Sequence, residues 1–125
     1  GAKYSVGRTH YCGQGPVMTT GAFSYNMKTG YVAAKAMCEA ATGCSATAHM
    51  CTSEELSRSF ALGDPVAHGW YTSFAQAPAS SGTVHDCGGW FLSDSADSGP
   101  VSGILGAGDP WSASCNNTNP VLCCD

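Results

Sequence analysis

Apolar residues recur at helical spacing in one early segment of the chain. Four of them lie on a single face, at intervals of three and four residues: Tyr31, Ala34, Cys38 and Ala41. The segment is rich in Ala and Met, which favour a helix. Thr29 is suited to cap its start, and Gly43 is suited to end it. The pattern predicts a helix over residues 31–42, with Cys38 pointing inward.

A second helix is indicated by its capping residues. Thr52 and Glu55 have the spacing of a capping box, in which each side chain bonds the other residue's backbone. Glu54 also lies in the first turn, where the helix dipole favours negative charge. Leu56 and Phe60 supply the predicted buried face, and the sequence Gly63-Asp64-Pro65 ends the helix.

The rest of the chain has the short apolar runs and turn residues of strands. Strands are predicted at residues 23–25, 69–74, 90–92 and 121–123. A turn is predicted at residues 13–16, and loops at residues 75–83 and 93–110. Together these elements predict one α+β domain over residues 1–125, with two short helices early in the chain and short strands later.

The charge content excludes several classes of partner. Charged residues make up 11% of the chain, against about 25% in ordinary soluble domains. The five basic residues do not cluster, and the net charge is −4, so nucleic-acid binding is not expected. No apolar run approaches the roughly 20 residues that a membrane helix needs, so membrane insertion is not expected either. The surface is instead rich in hydroxyl groups.

Eight cysteines in 125 residues point to disulfides. Their spacing does not match that of a zinc site, and the even number favours complete pairing. Disulfides persist in oxidising compartments, so a secreted or cell-surface protein is expected. The chain begins at Gly1 without a basic-then-apolar leader, as a mature exported form would. Eight cysteines allow about 105 pairings, so the sequence alone leaves the connectivity open.

Several short motifs together resemble the C-type-lectin-like fold, and within it the endostatin-like branch. The resemblance covers residues 23–124 and leaves residues 1–22 as an N-terminal extension or strand. The motifs are Tyr31-x-x-Ala34-x-x-x-Cys38, the run from Ala48 to Leu56, Cys87-x-x-Trp90, Ser114-Cys115 and Val121-Leu-Cys123. Similar cysteine-rich modules occur in secreted bacterial proteins. The calcium-binding tripeptides of sugar-binding C-type lectins are absent, so calcium-dependent sugar binding is not carried over.

The resemblance implies two short helices packed on small antiparallel sheets, with Trp70 and Trp90 in the core. It also implies two disulfides, Cys38–Cys123 and Cys87–Cys115. Of the remaining cysteines, Cys44 and Cys51 are close in sequence, which leaves Cys12 for Cys124. Adjacent strand residues face opposite ways, so Cys123 and Cys124 are expected to have different partners. A bond between these two neighbours is the strained alternative.

Neither metal binding nor catalysis is expected, and no cofactor is predicted. Asp94, Asp97 and Asp109 lie among Ser and Gly residues, but they lack the spacing of a calcium loop. The histidines at positions 10, 49, 68 and 85 form no metal-ligand motif. There is no nucleophile motif, and Glu54 and Glu55 are better explained as helix-capping residues.

The predicted role is therefore surface binding, with a glycan, an extracellular protein or further copies of the chain as partner. Exposed aromatic residues beside Asp and Asn can stack on a sugar or anchor a partner. The candidate binding residues are Trp111, Tyr71, Asp94, Asp97, Asp109 and Asn119. Asn116 begins a glycosylation sequon.

Two other functions are considered. The first is a self-assembling subunit of an extracellular filament or coat, in which Tyr4, Val6 and Tyr11 anchor a strand on a neighbour. The competing interpretation is that this segment pairs with the last strand of its own domain. The second is a hydrolase.

Overall fold

The last strand of the chain organises the protein's main sheet. The computed structural model describes residues 8–72, 86–95, 98–102 and 112–125. In chain order the elements are β1 (Tyr11–Thr19), β2 (Ser24–Tyr25), β3 (Lys28–Thr29), α1 (Gly30–Glu39), β4 (His49–Met50), α2 (Ser53–Leu62), β5 (Gly69–Trp70), α3 (Cys87–Trp90), β6 (Ser98–Ser102), β7 (Ser112–Ser114) and β8 (Asn119–Cys124). Over this part of the chain, the α+β prediction is confirmed.

Strand β8 has three neighbours, and all six of its residues are buried. The main sheet runs in the order β1-β8-β5-β6-β7, and β4 also pairs with β8. The β5–β8 pair is parallel through Trp70 and Val121, whereas the other described pairs are antiparallel. The prediction of antiparallel sheets is therefore wrong for the β5–β8 pair. A strand covered on both faces needs a nearly continuous apolar sequence, which Pro120-Val-Leu-Cys-Cys supplies.

Strand β1 lies within the predicted N-terminal extension, and it pairs with β8 along most of its length. The predicted turn at residues 13–16 is wrong, because these residues lie inside β1. The β1–β8 register is irregular between Gln14 and Met18, and Pro16 falls in that interval. A proline is tolerated there because the irregular stretch does not require its missing N–H.

Helix α1 agrees with the prediction except at its end. Ala34, Cys38 and Ala41 are buried, while the helix stops at Glu39 rather than at residue 42. The next N–H groups, of Ala40 and Ala41, bond carbonyls three residues back, so the chain tightens and leaves the helix before Gly43. Thr29 occupies the N-cap position but makes no side-chain cap.

Helix α2 confirms the predicted capping box and stop signal. The Thr52 hydroxyl accepts from the Glu55 N–H at 3.2 Å, and Gly63 ends the helix in a left-handed conformation. Leu56 is buried as predicted, but Phe60 is 52% exposed, so its predicted burial is wrong. Ser59 is buried instead, because its hydroxyl donates to the Glu55 carbonyl and accepts from the Tyr11 N–H.

Two predictions fail in the second half of the chain. Residues 90–92 were expected to form a strand, but Cys87–Trp90 is a short helical turn with left-handed glycines at 88 and 89. Residues 98–102 lie in a predicted loop, but they form β6. Strand β5 is confirmed only at Gly69–Trp70, and residues 73–85 lie outside the described part.

The aromatic core lies between α3 and the sheet. Trp70 and Trp90 are fully buried, as predicted, and Trp90 stacks on Phe23 with ring centroids 4.4 Å apart. Trp70 meets Trp90 edge-on at 5.4 Å and donates its indole N–H to the Thr19 carbonyl. The two tryptophans therefore tie β5 and β1 to the Cys87–Trp90 turn.

All eight cysteines form disulfides. The predicted Cys38–Cys123 and Cys87–Cys115 bonds are present. The other two predictions are wrong, since Cys12 pairs with Cys44 and Cys51 with Cys124. The reason is the sheet: β1 places Cys12 beside the loop after α1, while Cys51 follows β4, which pairs with β8 at Cys124. Cys123 and Cys124 do take partners on opposite sides of the strand, as expected.

A hollow beside a buried carboxylate

The structure contains a surface hollow of about 200 Å³. Six residues from four chain segments line it: Tyr31, Lys35, His49, Met50, Thr52 and Thr72. Tyr31 and Lys35 are one helical turn apart on α1, and His49 and Met50 form β4. We refer to this feature as the hollow.

Backbone pairing and disulfides hold the lining segments together. Thr52 and Thr72 form a parallel bridge, supported by a hydrogen bond from the Thr72 N–H to the Cys51 carbonyl at 2.9 Å. Cys38–Cys123 fastens α1 to β8, and Cys51–Cys124 fastens the start of α2 to the same strand. Cross-links of this kind restrict how far the walls of the hollow can move apart.

A buried carboxylate lies directly behind the hollow. Asp86 is fully buried, and its Oδ2 accepts hydrogen bonds from the Tyr31 hydroxyl and the Thr72 hydroxyl, both at 2.5 Å. A buried charge is tolerated only where hydrogen bonds replace its lost water, and these two hydroxyls serve that purpose. Two residues that line the hollow therefore also hold the carboxylate in place.

The same contacts keep the Tyr31 hydroxyl protonated. Burial, the hydrogen bond to Asp86 and the negative charge of that group raise the pKa of Tyr31 well above 10.0, and the nearby Thr72 side chain only partly offsets this. Burial and the charge of Asp86 also raise the pKa of Tyr71, the residue before Thr72. Neither phenol ionises near neutral pH.

A second carboxylate network borders the hollow at His49 and Thr52. Glu55 is buried, and its Oε2 lies 2.6 Å from His49 Nε2 and also accepts from the Thr9 hydroxyl. Its Oε1 accepts from the Thr52 N–H at 2.9 Å. Burial alone raises the pKa of Glu55, but the hydrogen bonds from Thr9, His49 and Thr52 outweigh it, and the net pKa is lowered.

Lys35 contributes the ammonium group at the hollow. Its Nζ donates to Glu39 Oε2 at 2.8 Å and to the Ala48 carbonyl at 3.0 Å. The ammonium is thus bound at Glu39 and Ala48, and the apolar stem of the side chain remains as lining. The exposed lining of the hollow is therefore almost entirely carbon.

Among the predicted binding residues that the structure describes, Tyr71, Asp94 and Asn119 do not line the hollow. Tyr71 is half-buried, Asp94 is exposed, and Asn119 is buried within β8, where it pairs with Thr19. The prediction that Asn119 contributes to a binding surface is therefore wrong, because the strand pairing covers it. Asp97, Asp109 and Trp111 lie outside the described residues.

The predicted modification and assembly residues have distinct positions. Asn116 is exposed, in the turn that follows β7. Tyr11 pairs with Cys124 inside the chain's own sheet, as the intramolecular alternative required. Tyr4 and Val6 lie outside the described residues.

His10 and His49 each contact a carboxylate. His10 Nδ1 lies 2.7 Å from Asp64 Oδ2, and His49 contacts Glu55 as described above. In the described part of the chain, His, Cys, Asp and Glu side chains do not gather in threes as ligands of a metal ion would. Over the same residues, no helix has the length and hydrophobicity needed to cross a bilayer.

Sequence reasoning did not identify the hollow. Its residues come from segments up to 41 positions apart, from Tyr31 to Thr72, and follow no short motif. The one signal in the sequence is the helical spacing of Tyr31 and Lys35, but the helical pattern places Tyr31 on the predicted buried face.

No protein-family model matches the chain, and no curated protein and no solved structure is significantly similar to it.

Proposed function

We propose that the chain is an exported, non-catalytic binding domain of lectin-like type, and that it holds part of a glycan in the hollow. The observation that carries this proposal is the convergence of Tyr31, Lys35, His49 and two threonines around one apolar wall. Binding pockets generally combine apolar walls with a few placed polar groups that fix the orientation of the ligand.

The size and chemistry of the hollow favour a single sugar ring. Its volume of about 200 Å³ is below the roughly 300 Å³ at which pockets for drug-sized ligands begin. Tyr31 contributes an aromatic side chain to this mostly apolar lining, and an aromatic ring can stack on the C–H groups of a sugar. Four disulfides in 125 residues support export to an oxidising compartment.

A glycan array probed with the oxidised 125-residue protein tests this function. We expect binding that is lost in Lys35→Trp, because the indole fills the hollow. Glu39→Ala is the matched control, since it removes the same Lys35–Glu39 ion pair and leaves the hollow open. Binding that survives Lys35→Trp, or that is absent from the parent protein, contradicts the proposal.

Self-assembly into an extracellular filament or coat is the second proposal. It is supported by three exposed apolar residues near the start of α1: Met27, Val32 and Phe91. The Phe91 ring lies over Gly30, which places it beside the β2–β3 hairpin that carries Met27. Sedimentation velocity of the parent protein and of a Met27→Ser, Phe91→Ser variant tests this proposal. We expect larger species only in the parent.

A further inference from the structure

The β2–β3 hairpin carries a methionine at an unfavourable position. Asn26 and Met27 form its two-residue turn, and their φ angles are 52° and 63°. A turn with two such angles favours Asn followed by Gly, because the left-handed conformation suits few other residues. Met27 takes the glycine position, and its side chain is fully exposed. Backbone outliers of this kind point to a function. We refer to residues 26–28 as the tip.

The hollow matches such a side chain in polarity and size. Its exposed lining is almost entirely carbon, and its volume is about 200 Å³. Because that volume is smaller than a pocket for a drug-sized ligand, it suits one side chain rather than a helix or a length of peptide. Methionine is unbranched and flexible, so it adapts to an irregular apolar gap.

Opposite charges lie beside the tip and beside the hollow. Lys28 follows Met27, is exposed, and forms no ion pair within the described part of the chain. Glu39 lies next to the hollow, where its Oε2 is 2.8 Å from Nζ of the lining residue Lys35. The Glu39 side chain is 48% exposed, so its carboxylate can also receive an ammonium group from a neighbouring molecule. One surface thus combines a methionine with a cation, and the other combines an apolar hollow with a carboxylate.

From this complementarity we infer that the hollow receives Met27 of a second copy of the chain, and that Lys28 of that copy pairs with Glu39. The inference rests on the proposed self-assembly and names the two surfaces that meet. It does not need glycan binding, since a sugar and the tip exclude one another from the hollow. Burial of the methionine supplies affinity, and the ion pair at the rim fixes the orientation. The low charge of the chain keeps repulsion between copies weak.

Mixing two variants tests the inference by sedimentation velocity of the full oxidised chain. Met27→Gly removes the inserting side chain and suits the turn, so it is expected to raise the melting temperature while weakening association. Lys35→Trp fills the hollow and keeps the tip. We expect each variant alone to associate at least about tenfold more weakly than the parent, as when an interface anchor is truncated. An equimolar mixture should recover a 1:1 complex, because one intact tip meets one intact hollow.

Carbodiimide cross-linking supplies a check that needs no variant. The parent is mixed with a copy labelled with heavy isotopes, and carbodiimide joins amines to carboxylates that are in contact. Mass spectrometry is expected to find Lys28 of one copy joined to Glu39 of the other, as pairs of one light and one heavy peptide. If associated parent gives no such pair, or joins Lys28 only to other carboxylates, the inference is overturned.

The remaining outcomes separate the inference from self-assembly. Met18→Ser is the matched control, because Met18 is also exposed but lies on β1, and it should associate as the parent does. If Met27→Gly associates as strongly as the parent, the tip does not enter the hollow, and the inference falls while self-assembly stands. If the parent stays monomeric at millimolar concentration, the inference and the proposed self-assembly fail together.

Discussion

The Tyr31 hydroxyl lies 2.5 Å from the Asp86 carboxylate, and this contact joins α1 to the residue that precedes the Cys87–Cys115 disulfide. Replacing Tyr31 with Phe leaves Asp86 buried with one donor fewer. We expect a loss of about 1–3 kcal/mol in the free energy of unfolding, as for other buried acceptors that lose a partner. Urea denaturation measures it, with Tyr25→Phe, a tyrosine in β2, as control. A loss no larger than that of the control contradicts the assigned role of the bond.

The phenols provide a spectroscopic check of the same cluster. The pKa of Tyr31 is raised well above 10.0, chiefly by burial and then by Asp86. Absorbance titration of the folded protein is therefore expected to show a phenol that still resists ionisation when exposed tyrosines have ionised. That component should be missing in Tyr31→Phe. Its persistence in the variant means that another tyrosine, such as Tyr11 or Tyr71, is responsible.

Glu55 is expected to make the protein sensitive to acid. Its folded-state pKa lies below the ordinary value of 4.5, so its contribution is complete above that pH and is lost as the pH falls through the folded-state pKa. Glu55→Gln should lower stability at neutral pH and flatten the decline below about pH 4.5. Urea midpoints measured across this range test the prediction. Glu54→Gln, at an exposed neighbouring site, should leave the slope unchanged.

The disulfides are expected to differ in their resistance to reduction. Cys12 and Cys44 are partly exposed, whereas the other six cysteines are fully buried. Mild reductant followed by alkylation and peptide mapping should label Cys12 and Cys44 first. The same maps without reductant should contain Cys51 joined to Cys124, and a Cys44–Cys51 peptide contradicts the structure.

Removing the Cys51–Cys124 bond should lower the free energy of unfolding by about 4 kcal/mol, because the bond closes a 73-residue separation.

Alanine substitutions at two glycines distinguish a site with no room for a Cβ from a site where only the backbone conformation favours glycine. A Cβ at Gly21 would lie 2.4 Å from the Cys87 sulfur, so Gly21→Ala must displace the Cys87–Cys115 bond. We expect a loss of about 3 kcal/mol or more, the upper range for overpacked cores. At Gly63 a Cβ would have no neighbour within 4 Å, and only the φ of +81° opposes it. Gly63→Ala should therefore cost about 1 kcal/mol. Thermal denaturation measures the loss of stability in both variants. Losses of similar size contradict this distinction.

Local chemistry along the sequence was enough to place α2. Thr52 and Glu55 cap one another within a single turn, and Gly63 ends the helix by its own conformational freedom. Neither interaction depends on the rest of the chain. Burial of the helix face was mispredicted at Phe60 because polar Ser59 is satisfied by two backbone partners, one of them on β1. That partner is 48 residues away in sequence, so no helical periodicity contains it.

The disulfide pairing and the hollow also depend on contacts between residues that are distant in sequence, so sequence patterns did not predict them correctly. Nearness in sequence suggested Cys44–Cys51, but the pairing of β4 and β1 with β8 brings each of these cysteines to a different partner. The Asp86 cluster joins three segments through Tyr31 and Thr72, and only the assembled sheet makes them neighbours. The sequence patterns show which cysteines and polar residues the chain contains. The order of the strands in the folded sheet determines which of these residues become neighbours.

The pairing of Cys123 and Cys124 with earlier cysteines also determines the order in which the disulfides can form during synthesis. Cys38 and Cys51 must wait for residues that are synthesised 85 and 73 positions later. Before those residues are present, and once Cys12 has bonded to Cys44, Cys38 and Cys51 are the unpaired cysteines nearest to each other in sequence. An early Cys38–Cys51 bond would have to be broken by thiol exchange before β8 could take its place. If that bond forms, correct folding requires an environment that reshuffles disulfides as well as forming them.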